Sequence, residues 1–93
     1  MREYDRIWKY PLSITDIQNI NIPSRHRILS AGIDPENNVC VWALVASNDA
    51  KENVEIRIFG TGTPVDEFGE FIGSVRDGVA IWHIFTGPGI GLS

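Results

Sequence analysis

The chain reads as an all-β domain, a small antiparallel barrel or sandwich of six to seven short strands. Three observations carry that expectation. Apolar residues recur with a period of two in segment after segment, as strands with one buried face require. Breaks rich in Pro, Gly and Asn punctuate these segments at short intervals. No window of eleven or more residues shows a 3.6-residue period with caps, so no helix is expected. Ninety-three residues make one domain, able to fold alone with little buried surface to spare.

The elements follow in order. Arg6 to Tyr10 alternates and stops at Pro11, giving a first strand. Ile17 to Ile22 alternates less strictly and ends at Pro23. His26 to Ile33 is a third strand, followed by the turn Asp34-Pro-Glu-Asn-Asn38, with Pro at the first central position and an Asn able to take the left-handed conformation. Val39 to Ala46 is apolar on both faces, the mark of a central, doubly covered strand. Ser47 to Glu52 is a polar connection, and Trp42 is expected in the core. The next strand begins at Val54 and places Ile56 and Ile58 on one face with Glu55 and Arg57 on the other. Beyond the excursion Val65 to Gly69, Glu70 to Val75 is a strand with Gly73 as a bulge. Asp77-Gly78 suits a type I′ hairpin leading into Val79 to Phe85, again apolar on both faces. The domain is expected over residues 1–85, with a flexible Gly/Pro-rich tail over 86–93. Two doubly apolar strands in so short a chain call for a covering partner, so a homo-oligomer is expected.

Charge and composition narrow the function classes. A net charge of −4 argues against binding a nucleic acid polymer, which needs a clustered basic face. The longest apolar run, Val39 to Ala46, is far too short to span a bilayer, and no secretory leader opens the chain. The single cysteine, Cys40, sits in an apolar strand and reads as a small buried hydrophobe in a reducing cytoplasm. No metal-ligand spacing and no cofactor motif is present. Cys40, His26 and His83 nominally offer a nucleophile and bases, but nothing in the sequence activates the thiol, and His83 between Trp82 and Ile84 reads as a satisfied sheet histidine. Asp66, Glu67 and Glu70 read as a solvated loop face. Catalysis is therefore not expected.

Binding has more support. The strand Val54 to Phe59 breaks into Gly60-Thr-Gly-Thr-Pro64, where Gly60 and Gly62 permit positive φ and Thr61 and Thr63 add hydroxyls. This is either a concavity of donors for an anion such as a phosphate or a plain strand-to-strand turn. Arg25 and Arg27, two apart in an extended segment, either grip one phosphate from the same side or form a charged edge that blocks strand pairing. Trp8, flanked by Arg6, Lys9 and Tyr10, is either a stacking surface for a base or a half-buried sheet aromatic. Taken together, Trp8, Arg25, Arg27, Arg57, Thr61, Gly62 and Thr63 are the candidate contacts for a small, flat, anionic ligand.

Five motifs, Ile7-Trp-Lys-Tyr-Pro-Leu12, Val41-Trp-Ala-Leu-Val45, Arg57-Ile-Phe-Gly-Thr-Gly62 with Pro64, Phe71-Ile-Gly-Ser-Val75 and Trp82-His-Ile-Phe85, resemble in that order a family of small proteins of unknown function found in bacteriophages and prophages. The resemblance covers about Ile7 to Phe85 and transfers no catalytic role. It implies a phage accessory protein in the bacterial host cytoplasm. By analogy with small phage proteins that sequester cyclic nucleotide signals, the expected function is capture of such an immune signal without hydrolysis. The alternative is a protein-interaction module, either an inhibitor of a host protein or a minor virion component.

Overall fold

A computed structural model describes residues 3–89 of the chain. It contains seven strands: β1 (Arg6–Pro11), β2 (Ile17–Pro23), β3 (His26–Ile33), β4 (Val39–Val45), β5 (Lys51–Gly60), β6 (Phe71–Asp77) and β7 (Ala80–Thr86). They form two antiparallel sheets, three-stranded in the order β1-β4-β3 and four-stranded in the order β2-β5-β7-β6. The all-β, two-sheet architecture is the one the period-two pattern predicts.

The two sheets are joined by one bent ribbon. β2 pairs with β5 from Ile17 opposite Arg57 to Pro23 opposite Lys51, and β3 pairs with β4 from His26 opposite Val45 to Ile33 opposite Val39. Between these stretches the ribbon turns from one sheet into the other, with Ser24 N–H donating to Ala50 O at 2.9 Å and Ala46 N–H to Arg25 O at 3.0 Å. Asp49 fixes the bend. Its carboxylate accepts from the Arg25 main-chain N–H at 3.2 Å, from Arg25 Nε at 3.0 Å and Nη2 at 3.2 Å, and from Ser24 Oγ at 3.3 Å. The β1 end is tied to the same corner, since Asp5 accepts from Ser47 N–H at 2.8 Å and Ser47 Oγ at 2.6 Å.

At the far end of the ribbon, Asp34 to Asn38 forms the anticipated turn. Asn37 takes φ 69°, and Asp34 N–H bonds Asn38 O at 3.0 Å. Asp34 does more than turn the chain. Its side chain is only 1% exposed and receives Lys9 Nζ at 2.8 Å, Asn38 N–H at 2.8 Å and the Cys40 thiol at 3.5 Å. Lys9 thereby ties β1 to the β3–β4 hairpin.

Alternate residues of every strand meet between the sheets. Val41, Val45, Ile22, Ile56 and Ile84 are fully buried, with Val39, Ile20, Ile58 and Val75 nearly so. Burying one such aliphatic side chain contributes about 1.5–3 kcal/mol. β3 and β6, edge strands of different sheets, pack together. There Gly73 sits so near Ala31 that a Cβ on it would lie 3.4 Å from the Ala31 Cβ. Bulges at Ile28/Ser30 and Phe71/Gly73 bend both strands into this seam.

Several details differ from expectation. β5 begins at Lys51, because pairing with Asn21 to Pro23 draws the polar residues 51–53 into the ribbon. Trp42 is not in the core: it stands opposite Lys9 and Ser30 on the outer face of the three-stranded sheet and lies over Gly32, while Trp8 packs inward. The last hairpin turns on Gly78–Val79, with Asp77 opposite Ala80 and positive φ at Gly78 alone. That is the II′ pattern, which spares the β-branched Val79 the positive φ of type I′. Thr86, expected to begin the tail, completes β7, and Gly87 N–H bonds Glu55 O at 2.8 Å. The remainder of that expected tail from residue 90 lies outside the described residues.

Ile56→Ala removes a fully buried side chain and is expected to cost about 2–5 kcal/mol in denaturant unfolding. Stability is expected to hold above about pH 5 and to fall on acidification, because hydrogen bonds from Lys9, Ser47 and Arg25 depress the Asp34, Asp5 and Asp49 carboxyls respectively. A depressed carboxyl favours the folded state above its unfolded pKa and ceases to do so as pH drops through the folded value. Asp34→Asn is expected to flatten this acid limb in thermal melts run from pH 7 to pH 3.

Candidate functional site

The outer face of the four-stranded sheet is set by register. One cross-sheet row runs Ile17, Arg57, Phe85, Phe71, and the next runs Phe59, His83, Ser74. The chain's four phenylalanines gather on this face. Phe85 lies 5.8 Å from Phe59, 5.3 Å from Phe71 and 4.7 Å from Phe68, which reaches over from the segment between β5 and β6. Phe59 and Phe68 meet edge-on at 6.5 Å. Such offset and edge-to-face pairs contribute about 0.5–1.5 kcal/mol each beyond area burial. The plate is not covered: Phe68 is 48% and Phe71 59% exposed, with Ile17 and Ile81 also open beside them.

His83 is held at both ring nitrogens, by Ser74 Oγ on Nδ1 and Thr61 Oγ1 on Nε2, each at 2.8 Å. It is a satisfied sheet histidine, on the opposite outer face of the sandwich from Cys40. Burial, then the adjacent Asp34 carboxylate, pushes the Cys40 thiol up. Arg57 is similarly occupied. Its Nε bonds Glu55 Oε2 at 2.5 Å, its Nη1 bonds Glu67 O at 2.8 Å, and its side chain is mostly buried.

Beside the plate lies a cleft of about 560 Å³. It forms because β2 begins opposite Arg57 while β5 runs on to Gly60. Ile58 N–H still bonds Asp16 O at 3.2 Å, which places the polar groups of Ile58 and Gly60 on the β2 side, where no strand continues. Ile14 to Ile17 make one wall, Arg57 to Gly60 the floor, and Thr63, Pro64 and Asp66 the other wall, with Trp82 behind. The Trp82 ring packs where a Cβ on Gly60 would sit, and its indole N–H is buried without an acceptor.

The loop from Gly60 closes as a turn. Gly62 takes φ 88°, the position that demands glycine in a type II turn. Thr63 N–H and Oγ1 both donate to Gly60 O, at 3.2 and 2.7 Å. Thr61 N–H turns to Ile81 O at 3.4 Å. The donors that an anion site would need are thus directed largely at the protein's own carbonyls.

The seven sequence candidates therefore do not share one place. Arg57 and Thr63 line the cleft, with Thr61 and Gly62 in the adjoining turn. Arg25 is the corner clamp on Asp49, which raises its pKa. Arg27 lines a separate hollow of about 360 Å³ with His26, Glu70 and Phe71, and its side chain forms no hydrogen bond or ion pair among the described residues. Trp8 packs against the core with Lys51 Nζ 5.8 Å from its ring centre. The residues that sequence reading passed over are Trp82, Asp16 and the phenylalanine plate. A signal for the plate was available, since Phe59 alternates with Glu55 and Arg57 on the face opposite Ile56 and Ile58.

Among the described residues no group of three or more His, Cys, Asp or Glu is placed to hold a metal, and no helix is long and apolar enough to cross a membrane. The family model described as a domain of unknown function (DUF7352) matches residues 3–90, so the chain belongs to that family. No curated protein and no solved structure matches it.

Arg25→Ala is expected to lower the melting temperature by loosening the corner, whereas Arg27→Ala is expected to leave stability within about ±0.5 kcal/mol of wild type, as for a surface side chain without a partner. Equal melts for the two variants in differential scanning calorimetry would show that the ion pair does not hold the bend.

Proposed function

From membership in a family without an assigned activity, we propose that this protein is a binding module that docks on another protein through the outer face of its four-stranded sheet. The observation that carries the reading is the aromatic plate, in which Phe68 and Phe71 stay about half exposed around Phe59 and Phe85. Aromatic side chains at the centre of a patch supply most of the energy of protein interfaces, and large exposed apolar patches mark such sites. In the setting that the phage resemblance implies, the partner is a protein of the bacterial host, and docking inhibits or redirects it without chemistry.

A second reading, capture of a cyclic nucleotide, is favoured by one observation. Arg57, Gly60, Thr63 and Trp82 do line a single cleft. Against it stand the scattered positions of Arg25, Arg27 and Trp8 and the inward-turned donors of the loop.

The test is a photo-crosslinking residue placed at position 71 and, separately, at position 7 on the other sheet, in bacterial cells. Cross-linking from 71 to one defined protein, absent from 7 and lost with Phe68→Ser, is the expected outcome. A cross-link from 71 only to a second copy would make the plate an assembly face. No cross-link, with a melting shift of about 10 °C on adding a cyclic nucleotide at a hundredfold excess over its dissociation constant, would establish the capture reading instead.

A further inference from the structure

The cleft beside the plate has a charge and an edge that together specify what enters it. Of its lining residues, Arg57 is offset by Glu55 just outside the cleft. Asp16 and Asp66 remain, and neither has a cationic partner among the described residues: the Asp66 carboxylate receives only the neighbouring Glu67 N–H at 2.8 Å. The rest of the lining is largely apolar, from Ile14, Ile17, Pro64 and Trp82. An anion would meet two unneutralised carboxylates there. A cationic group would meet complementary charge beside apolar walls.

The main chain adds a second requirement. Residue parity along β5 directs Ile58 C=O and Gly60 N–H into the cleft. Neither is bonded by the flanking segments, although Ile58 N–H is taken by Asp16 O. A free donor and acceptor two residues apart along a strand edge match the backbone of an extended segment laid alongside.

We propose that this cleft receives an extended segment of the partner protein in which basic and apolar side chains alternate. Its backbone bonds Ile58 C=O and Gly60 N–H, its basic side chain lies between Asp16 and Asp66, and its apolar side chain rests on Ile14 and Trp82. The inference rests on the protein-docking reading and adds to it the chemistry of the partner: an apolar patch for the phenylalanine plate, continued by a basic strand.

The probe is a capped synthetic peptide alternating Lys and Val, five residues long, with its Glu/Val counterpart as control, titrated into isotope-labelled protein and followed by amide and indole NMR. The Lys peptide is expected to shift the Gly60 amide and the Trp82 indole, to weaken as salt is raised, and to lose about tenfold in affinity in Asp16→Asn/Asp66→Asn. Both carboxylates lie on exposed loop residues, and the variant's melting temperature checks that it folds. Equal shifts with the Glu peptide, unchanged affinity in the double variant, or a cyclic nucleotide that shifts Gly60 where the Lys peptide does not would each overturn the proposal. Loss of peptide binding with the position-71 cross-link intact overturns the cleft assignment alone. Peptide binding at Gly60 with no cross-link from 71 to any other protein overturns the role of the plate and leaves the cleft standing.

Discussion

The constraint on which the rest of this structure depends is the bend in the β2–β3/β4–β5 ribbon. Both strands of the ribbon must leave the four-stranded sheet at the same level and enter the three-stranded one in register. Two residues, Ser24 and Arg25, cross on one side, against the longer arc from Ala46 to Ala50 on the other. A one-residue slip here would turn Ile20 and Ile22 outward and bring Asn19 and Asn21 into the core. Asp49 removes that freedom by holding both the main chain and the guanidinium of Arg25. The core side chains of β2 to β5 share the register that this corner sets, and β1 joins them along β4. β6 and β7 extend the sheet on the other side of β5.

The two outer faces then diverge. On the three-stranded sheet, Lys9, Asp34 and Cys40 form a closed polar knot, with Trp42 lying over Gly32 beside it. The polar groups of that face satisfy one another, and its exposed apolar residue Ile7 stands without aromatic neighbours like those of the four-stranded sheet. On the four-stranded sheet the polar residues Arg57, Glu55 and His83 are likewise paired internally, yet the aromatic rings between them stay in contact with water. A face whose polar groups need nothing further and whose apolar groups are uncovered gains by association, since little desolvation penalty opposes the burial of the rings.

Much of this architecture is legible in the sequence. Alternation placed all seven strands. The Asp34-Pro35 and Asp77-Gly78 signals located both hairpins, and Gly73 marked its bulge. What escaped the sequence was which face of a doubly apolar strand turns inward. Val39 to Val45 offers Val41 and Ala43 on one side and Cys40, Trp42 and Leu44 on the other, and size alone favours the tryptophan for the core. The space between these sheets takes small branched side chains opposite Ile22 and Ile56, so Trp42 is left outside and Trp8 enters from the edge strand. The candidate site was read less well, for a related reason. Charge alone does not show that an arginine is occupied: Asp49 lies 24 residues from Arg25, beyond what local spacing reveals, whereas Glu55, two residues from Arg57 on the same face of a strand, was within reach of the alternation pattern.

The turn from Asp34 to Asn38 also bears on the entropy of assembly. It closes the shortest loop in the ribbon, so within the ribbon the β3–β4 hairpin is the least costly pairing in conformational entropy. Pairing then runs down the ribbon through the Asp49 corner into β2 and β5, each new pair adjoining one already made. β1 lies outside the ribbon and adds to the free edge of β4, with Arg6 opposite Val45 across almost half the chain. A topology with so many distant pairings belongs among the slow-folding β proteins, in the range of milliseconds to seconds. During that interval the edge of β4 that β1 will occupy stands open. Lys9, whose ammonium ends on the turn's own Asp34, joins the N-terminal strand to that hairpin.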